Sequence, residues 1–111
     1  MRSFWEEQAM WSQKTFGTDQ ERGPIGALKH LAKEVQETLE CANDPQTPRP
    51  KYLEEFADCI FLVFDACRRA GFSYDELLLS CWRKLAKNRR RQWQKPAKGD
   101  EPVEHVRDAS A

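Results

Sequence analysis

The sequence predicts an all-α fold, on three observations. Four segments repeat their apolar residues every three to four positions, and none alternates apolar with polar residues as a half-buried strand does. Breaks rich in Pro, Gly, Asn and Asp separate the segments. Capping residues stand where the periodicity starts and stops. The architecture expected is a four-helix bundle in a single domain over residues 1–95, followed by a polar tail over 96–111.

The first helix is expected over Ser3–Lys14, carrying Phe4, Trp5, Met10 and Trp11. A loop follows from Thr15-Phe16-Gly17 to Arg22-Gly23-Pro24. The second helix starts at Pro24, a residue suited to a first helical turn, and runs to about Ala42. Asn43-Asp44-Pro45 and Pro48-Arg49-Pro50 end it. The third begins at Pro50 or Lys51 and stops at Gly71, a natural C-terminal cap. Ser73 and Glu76 have the spacing of a capping box for the fourth, which reaches about Trp93. Beyond Pro96 the polar composition suits a tail or an arm laid on a neighbour.

Composition excludes several classes. Hydrophobic residues make up 40% of the 111 residues and aromatics 11%, too many for a disordered chain. The 18 Lys and Arg cancel the 18 Asp and Glu, so the chain as a whole is neither a strongly basic nucleic-acid module nor an acidic tail. The longest apolar run, Cys59–Phe64, is far short of the ~20 residues that span a bilayer. Glu6 and Glu7 stand where a signal peptide needs its apolar run. Cysteines 41, 59, 67 and 81 contain no C-x-x-C pair, which argues against zinc and for a reduced, cytoplasmic protein.

The charges are segregated along the chain. On the second helix Leu28, Leu31, Ala32, Val35, Leu39 and Ala42 form an apolar side, the expected core face. His30, Glu34, Glu37 and Cys41 form a separate stripe, which alone would read as a solvated face. On the third helix Tyr52, Phe56, Cys59, Ile60, Val63 and Cys67 make the main apolar side. Phe61 and Leu62 place large apolar groups opposite, and a helix apolar all round is normally buried all round. Yet Glu55 and Asp58, with Glu54 and Asp65 nearby, project from that second side. Buried carboxylates need a counter-charge, and acids gathered at one place repel until a cation neutralises them. Hard oxygen ligands point to Mg²⁺, with Mn²⁺ as the alternative. Salt bridges to Lys and Arg from neighbouring helices are the lesser alternative.

The fourth helix carries the opposite sign. Leu78, Cys81, Trp82, Leu85, Ala86 and Trp93 face one way, while Lys84, Asn88 and Arg91 share a narrow stripe elsewhere. From Lys84 to Lys98 there are seven basic residues and no acid; between Glu34 and Asp65 there are eight acids against Arg49 and Lys51. An acidic metal cage together with a Lys/Asn/Arg stripe is what a nucleoside triphosphate requires. No phosphate-binding Gly loop, nucleophile elbow or Cys/His pair occurs, so hydrolysis by a metal-activated water is the simplest chemistry.

Lys33-Glu34-Val35-Gln36-Glu37 followed by Glu55-Phe56-Ala57-Asp58 resembles the E-E-x-x-E … E-x-x-D signature of the all-α MazG-like nucleoside triphosphate pyrophosphohydrolases. Phe16-Gly17, Gly23-Pro24, His30-Leu31-x-Lys33-Glu34, Arg69-Ala70-Gly71 and Lys84-x-x-x-Asn88-x-x-Arg91-x-Trp93 resemble the dATP/dGTP branch, common in phages and prophages. The resemblance covers Trp11 to Trp93. It implies Mg²⁺-dependent cleavage of purine (deoxy)nucleoside triphosphates, dGTP or dATP, to the monophosphate and pyrophosphate. It also implies that Glu34, Glu37, Glu55 and Asp58 are the metal ligands and catalytic carboxylates. Lys84, Asn88 and Arg91 then match the phosphate-holding positions. His30, Lys33 and Asp65 are candidates for outer support, and Trp11, Thr15, Phe16 and Arg22 for contacts with the base. Lys33 replaces a Glu of the wider family, which leaves the number of metal ions open. A homo-oligomer completing the bundle is implied too, a tetramer built as a dimer of dimers being favoured over a dimer.

The competing hypothesis is a small helical nucleic-acid-binding regulator using the basic strip 84–98. Its affinity would fall steeply with salt. Buried carboxylates have no use in such a protein, so nucleic acid is the weaker expectation.

Overall fold

A computed structural model describes residues 1–93, 99 and 102–106 and contains five helices among them. The expected Lys95, Pro96 and Lys98 lie outside the described residues. Helix α1 is Phe4–Phe16; the Ser3 hydroxyl caps it by accepting from the Glu6 amide at 3.2 Å. It runs one half-turn beyond the expected end, so Thr15 and Phe16 are helical and not in a loop. The expected loop also holds an extra helical turn, α2, Asp19–Arg22, capped by Thr18. So short an element has no periodicity to betray it.

Helix α3 is Ile25–Asn43, with Pro24 as its helical-conformation N-cap, and α4 is Arg49–Arg69, with Pro50 in its first turn. The stop after α4 follows from Gly71. Its φ of 97° carries the chain out of the helix, while Gly71 N donates to Arg68 O (2.9 Å) and Phe72 N to Cys67 O (3.2 Å). Helix α5, Tyr74–Arg90, begins directly after Ser73. It ends three residues before the expected Trp93, because Gln92–Trp93 (β1) turns out and pairs antiparallel with His105–Val106 (β2). This short pair corrects the strand-free expectation. No helix among the described residues is long and apolar enough to cross a membrane.

The chain divides into two compact units, Met1–Tyr74 and Asp75–Ala111. In the first, α3 and α4 form the most extensive pairing, and α1 and α2 pack on α4. Trp5 is buried edge-on against Phe64 at 4.8 Å and also meets Tyr74 at 5.4 Å. Phe4 contacts Phe61 at 5.6 Å, so the second apolar side of α4 receives α1.

The expected core face of α3 is not the face that is covered. Leu28, Val35 and Leu39 stay 49%, 52% and 52% exposed, while Ala27 and Thr38 are buried. On α4, Phe56 and Ile60 are likewise half exposed, whereas Glu55, Asp65 and Ala66 are buried. The two helices meet through their carboxylate-bearing faces. Leu28, Val35 and Leu39 of α3, with Phe56 and Ile60 of α4, thus leave apolar surface exposed, a distribution that ordinary monomers avoid.

Candidate active site

Small residues let α3 and α4 approach around the acids. The Thr38 hydroxyl donates to the Glu34 carbonyl at 2.7 Å and lies 3.5 Å from Cys59 Sγ on α4. One turn earlier on each helix stand Glu34 and Glu55. One carboxylate oxygen from each of Glu34, Glu37 and Glu55 lies within 4.8 Å of the others. Glu55 is buried, Glu34 partly so, and Glu37 exposed.

Each of the two inner carboxylates has a basic partner one turn earlier on its own helix. His30 Nε2 is 3.2 Å from Glu34 Oε1, and Lys51 Nζ is 2.9 Å from Glu55 Oε1. The other oxygens, Glu34 Oε2 and Glu55 Oε2, are buried without any hydrogen-bond partner. Burial pushes the Glu34 pKa up, helped by the adjacent carboxylate of Glu37 and then by the charges of Asp58 and Glu55. Glu55 goes the other way: the hydrogen bond from Lys51 outweighs burial and lowers its pKa. Asp58 is exposed and stands outside the close trio, although its charge reaches Glu34. The all-carboxylate donor set and the two orphaned buried oxygens suit a hard divalent cation.

Asp65 is held elsewhere. Ten residues along α4 from Glu55, roughly 15 Å of helical rise, it accepts from Gln8 Nε2 at 2.9 Å and Arg68 Nη2 at 2.8 Å. Arg69 Nη2 lies 3.7 Å from its second oxygen and donates to Ser12 Oγ at 3.3 Å. Arg68 continues to Asp19 with both carboxylate oxygens at 2.9 Å, tying α2 to α4. The expected outer residue is thus part of a buried ion-pair network that fastens α1 and α2. Arg68, Arg69 and Asp19 carry no periodic signal that would have revealed it.

Of the other expected residues, Lys33 is exposed. Trp11 and Phe16 pack edge to face at 5.4 Å while remaining about half exposed. Arg22 Nη1 donates to the Phe16 carbonyl at 3.4 Å, and Thr15 is exposed at the end of α1. In the second unit Lys84, Asn88 and Arg91 line one cavity of about 300 Å³. Its remaining wall is Trp93, Val103, Glu104 and His105. Lys51, Trp93 as a wall residue and Glu104 were not singled out by sequence reasoning. Only the i, i+4 spacing of Lys51 and Glu55 offered a signal.

A model of the dATP/dGTP pyrophosphohydrolase family matches residues 4–111. The chain belongs to the dATP/dGTP pyrophosphohydrolase family. It is also similar to the Eaa protein of Salmonella phage P22, with 44% identity over 102 residues. That match covers 92% of this chain and 28% of the phage protein, so the chain spans little more than a quarter of that relative's length. No solved structure matches the chain. Members of the family are hydrolases acting on nucleoside triphosphates, and the acid cluster of α3 and α4 has the donor set to hold a metal ion.

Proposed function

We propose that this chain hydrolyses dATP and dGTP to the monophosphate and pyrophosphate with Mg²⁺, Mn²⁺ being the alternative ion. Two buried carboxylate oxygens without partners, Glu34 Oε2 and Glu55 Oε2, carry the reading. Leaving such atoms unpaired is costly, and a bound cation removes the cost. Glu34, Glu37 and Glu55 would hold the ion, with Asp58 completing the set. When bound, the ion neutralises phosphate charge and activates a water for attack on phosphorus.

The chain's own residues do the rest. His30 and Lys51 occupy one oxygen of Glu34 and of Glu55, leaving the other oxygen of each for the ion. Lys84 and Arg91 hold non-bridging phosphate oxygens, and Asn88 adds its amide. The half-exposed rings of Trp11 and Phe16 offer a stacking surface to a purine, and Thr15 and Arg22 flank it in sequence. The half-exposed Leu28, Val35 and Leu39, with Phe56 and Ile60, support assembly into a homo-oligomer, with a tetramer formed as a dimer of dimers.

A panel of nucleoside triphosphates with product analysis tests the reading. dATP and dGTP should release monophosphate and pyrophosphate with Mg²⁺, and excess EDTA should stop the release. Glu37→Ala and Asp58→Ala should abolish turnover and keep the helical circular dichroism. Normal activity in both variants would overturn the ligand assignment. Light scattering on the eluting protein reads the oligomeric state directly.

A further inference from the structure

The structure supports a role for the C-terminal strand that the activity above does not require. Helix α5 ends at Arg90, yet the Asn88 carbonyl still takes two donors from beyond it. These are the Arg91 amide at 3.2 Å and the Trp93 indole nitrogen at 2.9 Å. Trp93 pairs in the antiparallel register with His105, and their rings meet edge to face at 5.7 Å and 72°. A pair of two-residue strands is marginal by itself. Here a side-chain hydrogen bond and an aromatic contact anchor it to the very turn that carries Asn88 and Arg91.

The consequence is a walled cavity in place of an open helix end. Lys84, Asn88 and Arg91 make one side; Trp93, Glu104 and His105 make the other. Asn88 Oδ1 is buried there without a partner. An amide presents either its oxygen or, after a flip, its NH₂ to a ligand. The NH₂ suits a phosphate oxygen, as do the Lys84 ammonium and the Arg91 guanidinium. Glu104 opposes an anion and leaves one net positive charge from these three ionised side chains.

We infer that β2 is a working wall of a phosphate-chain pocket, in which His105 contacts the phosphates and Trp93 is the positioning residue for Asn88 and Arg91. The inference rests on the pyrophosphohydrolase reading for its choice of ligand. It adds one residue that contacts the triphosphate and one that positions those contacting it, neither taking part in bond cleavage.

Inorganic tripolyphosphate, titrated calorimetrically into the full chain, is the direct probe. His105→Ala should weaken binding by about tenfold, the scale of one hydrogen bond to a charged group. Trp93→Ala should weaken it similarly and Trp93→Phe less, since phenylalanine keeps the ring contact and loses the donor. Glu104→Gln should tighten binding. In turnover, His105→Ala and Trp93→Phe should raise KM for dATP and dGTP with kcat nearly unchanged. If wild type turns over both nucleotides and all four variants bind tripolyphosphate as wild type does, the wall inference is overturned and the enzymatic reading survives. If wild type turns over neither nucleotide but binds tripolyphosphate through His105, the enzymatic reading fails and the wall stands.

Discussion

Asp65 and Glu34 are carboxylates of the same compact unit, and the fold treats them in opposite ways. Asp65 is 5% exposed, with both oxygens facing partners: Gln8 and Arg68 on one, Arg69 on the other. Burial alone would raise its pKa, but the bonds from Gln8, Arg68 and Ser12 and the charge of Arg69 hold it below the usual carboxylate value. Glu34 has His30 on one oxygen and nothing on the other, and the charges around that second oxygen are acids. Its pKa is raised. Burial is therefore not what separates a structural carboxylate from a candidate ligand; the completeness of its partners is.

The sharpest way to break that comparison is to neutralise each acid in turn. Glu34→Gln should reduce turnover by more than about a hundredfold, beyond the loss of an outer partner. It should leave thermal stability equal or higher, because it removes like-charge repulsion. Asp65→Ala should do the reverse. Removing the carboxylate that Arg68 and Arg69 share, which leaves Arg68 only Asp19 as an acidic partner, should cost about 3 kcal/mol in urea unfolding, with turnover per folded molecule little changed. Equal stability losses in both variants would erase the distinction.

Stability against pH separates the two groups by sign. Glu34, raised above its ordinary 4.5, favours folding when protonated; that contribution is present below 4.5 and is lost as pH rises through the folded value. Asp65, lowered from 3.8, contributes above 3.8, and the contribution is lost as pH falls through the folded value. The Tm of metal-free protein should therefore decline on both sides of mildly acid pH. Mg²⁺ should lift the upper limb and leave the acid limb alone. Glu34→Gln should remove the upper decline, and Asp65→Asn the sharper part of the lower one.

The sequence disclosed what local chemistry controls. Gly71 ended α4 and Ser73 preceded α5 because stop and start signals act within a few residues. The acids Glu34, Glu37 and Glu55 converged because i, i+3 spacing puts residues on one helix face and two such faces met. The direction of α3 was a different matter. Periodicity identified Leu28, Val35 and Leu39 as the apolar side, but a stripe does not say whether its cover lies in the same chain. Asp65 stands seven residues after Asp58, on the same helix face. The same seven residues also climb about 10 Å, far enough for Arg68 and Arg69 to claim it. Helix α2 was too short for periodicity, and the His105–Val106 pairing is a long-range contact that no local pattern announces.

The smallest effect expected concerns what keeps Glu34's second oxygen available. His30 is well exposed yet sits 3.2 Å from Glu34 Oε1, so it can fix the carboxylate's rotation without reaching the ion. If that orientation matters, His30→Ala should raise the Mg²⁺ concentration for half-maximal activity by about tenfold, the low end for an outer partner. Saturating Mg²⁺ should restore kcat, because every ligand is still present. His30→Asn, which keeps a short donor, should fall between the two. A kcat that stays low at saturating Mg²⁺ would instead place His30 among the groups acting on the substrate, and the contrast with Asp65, whose partners serve only the fold, would need redrawing.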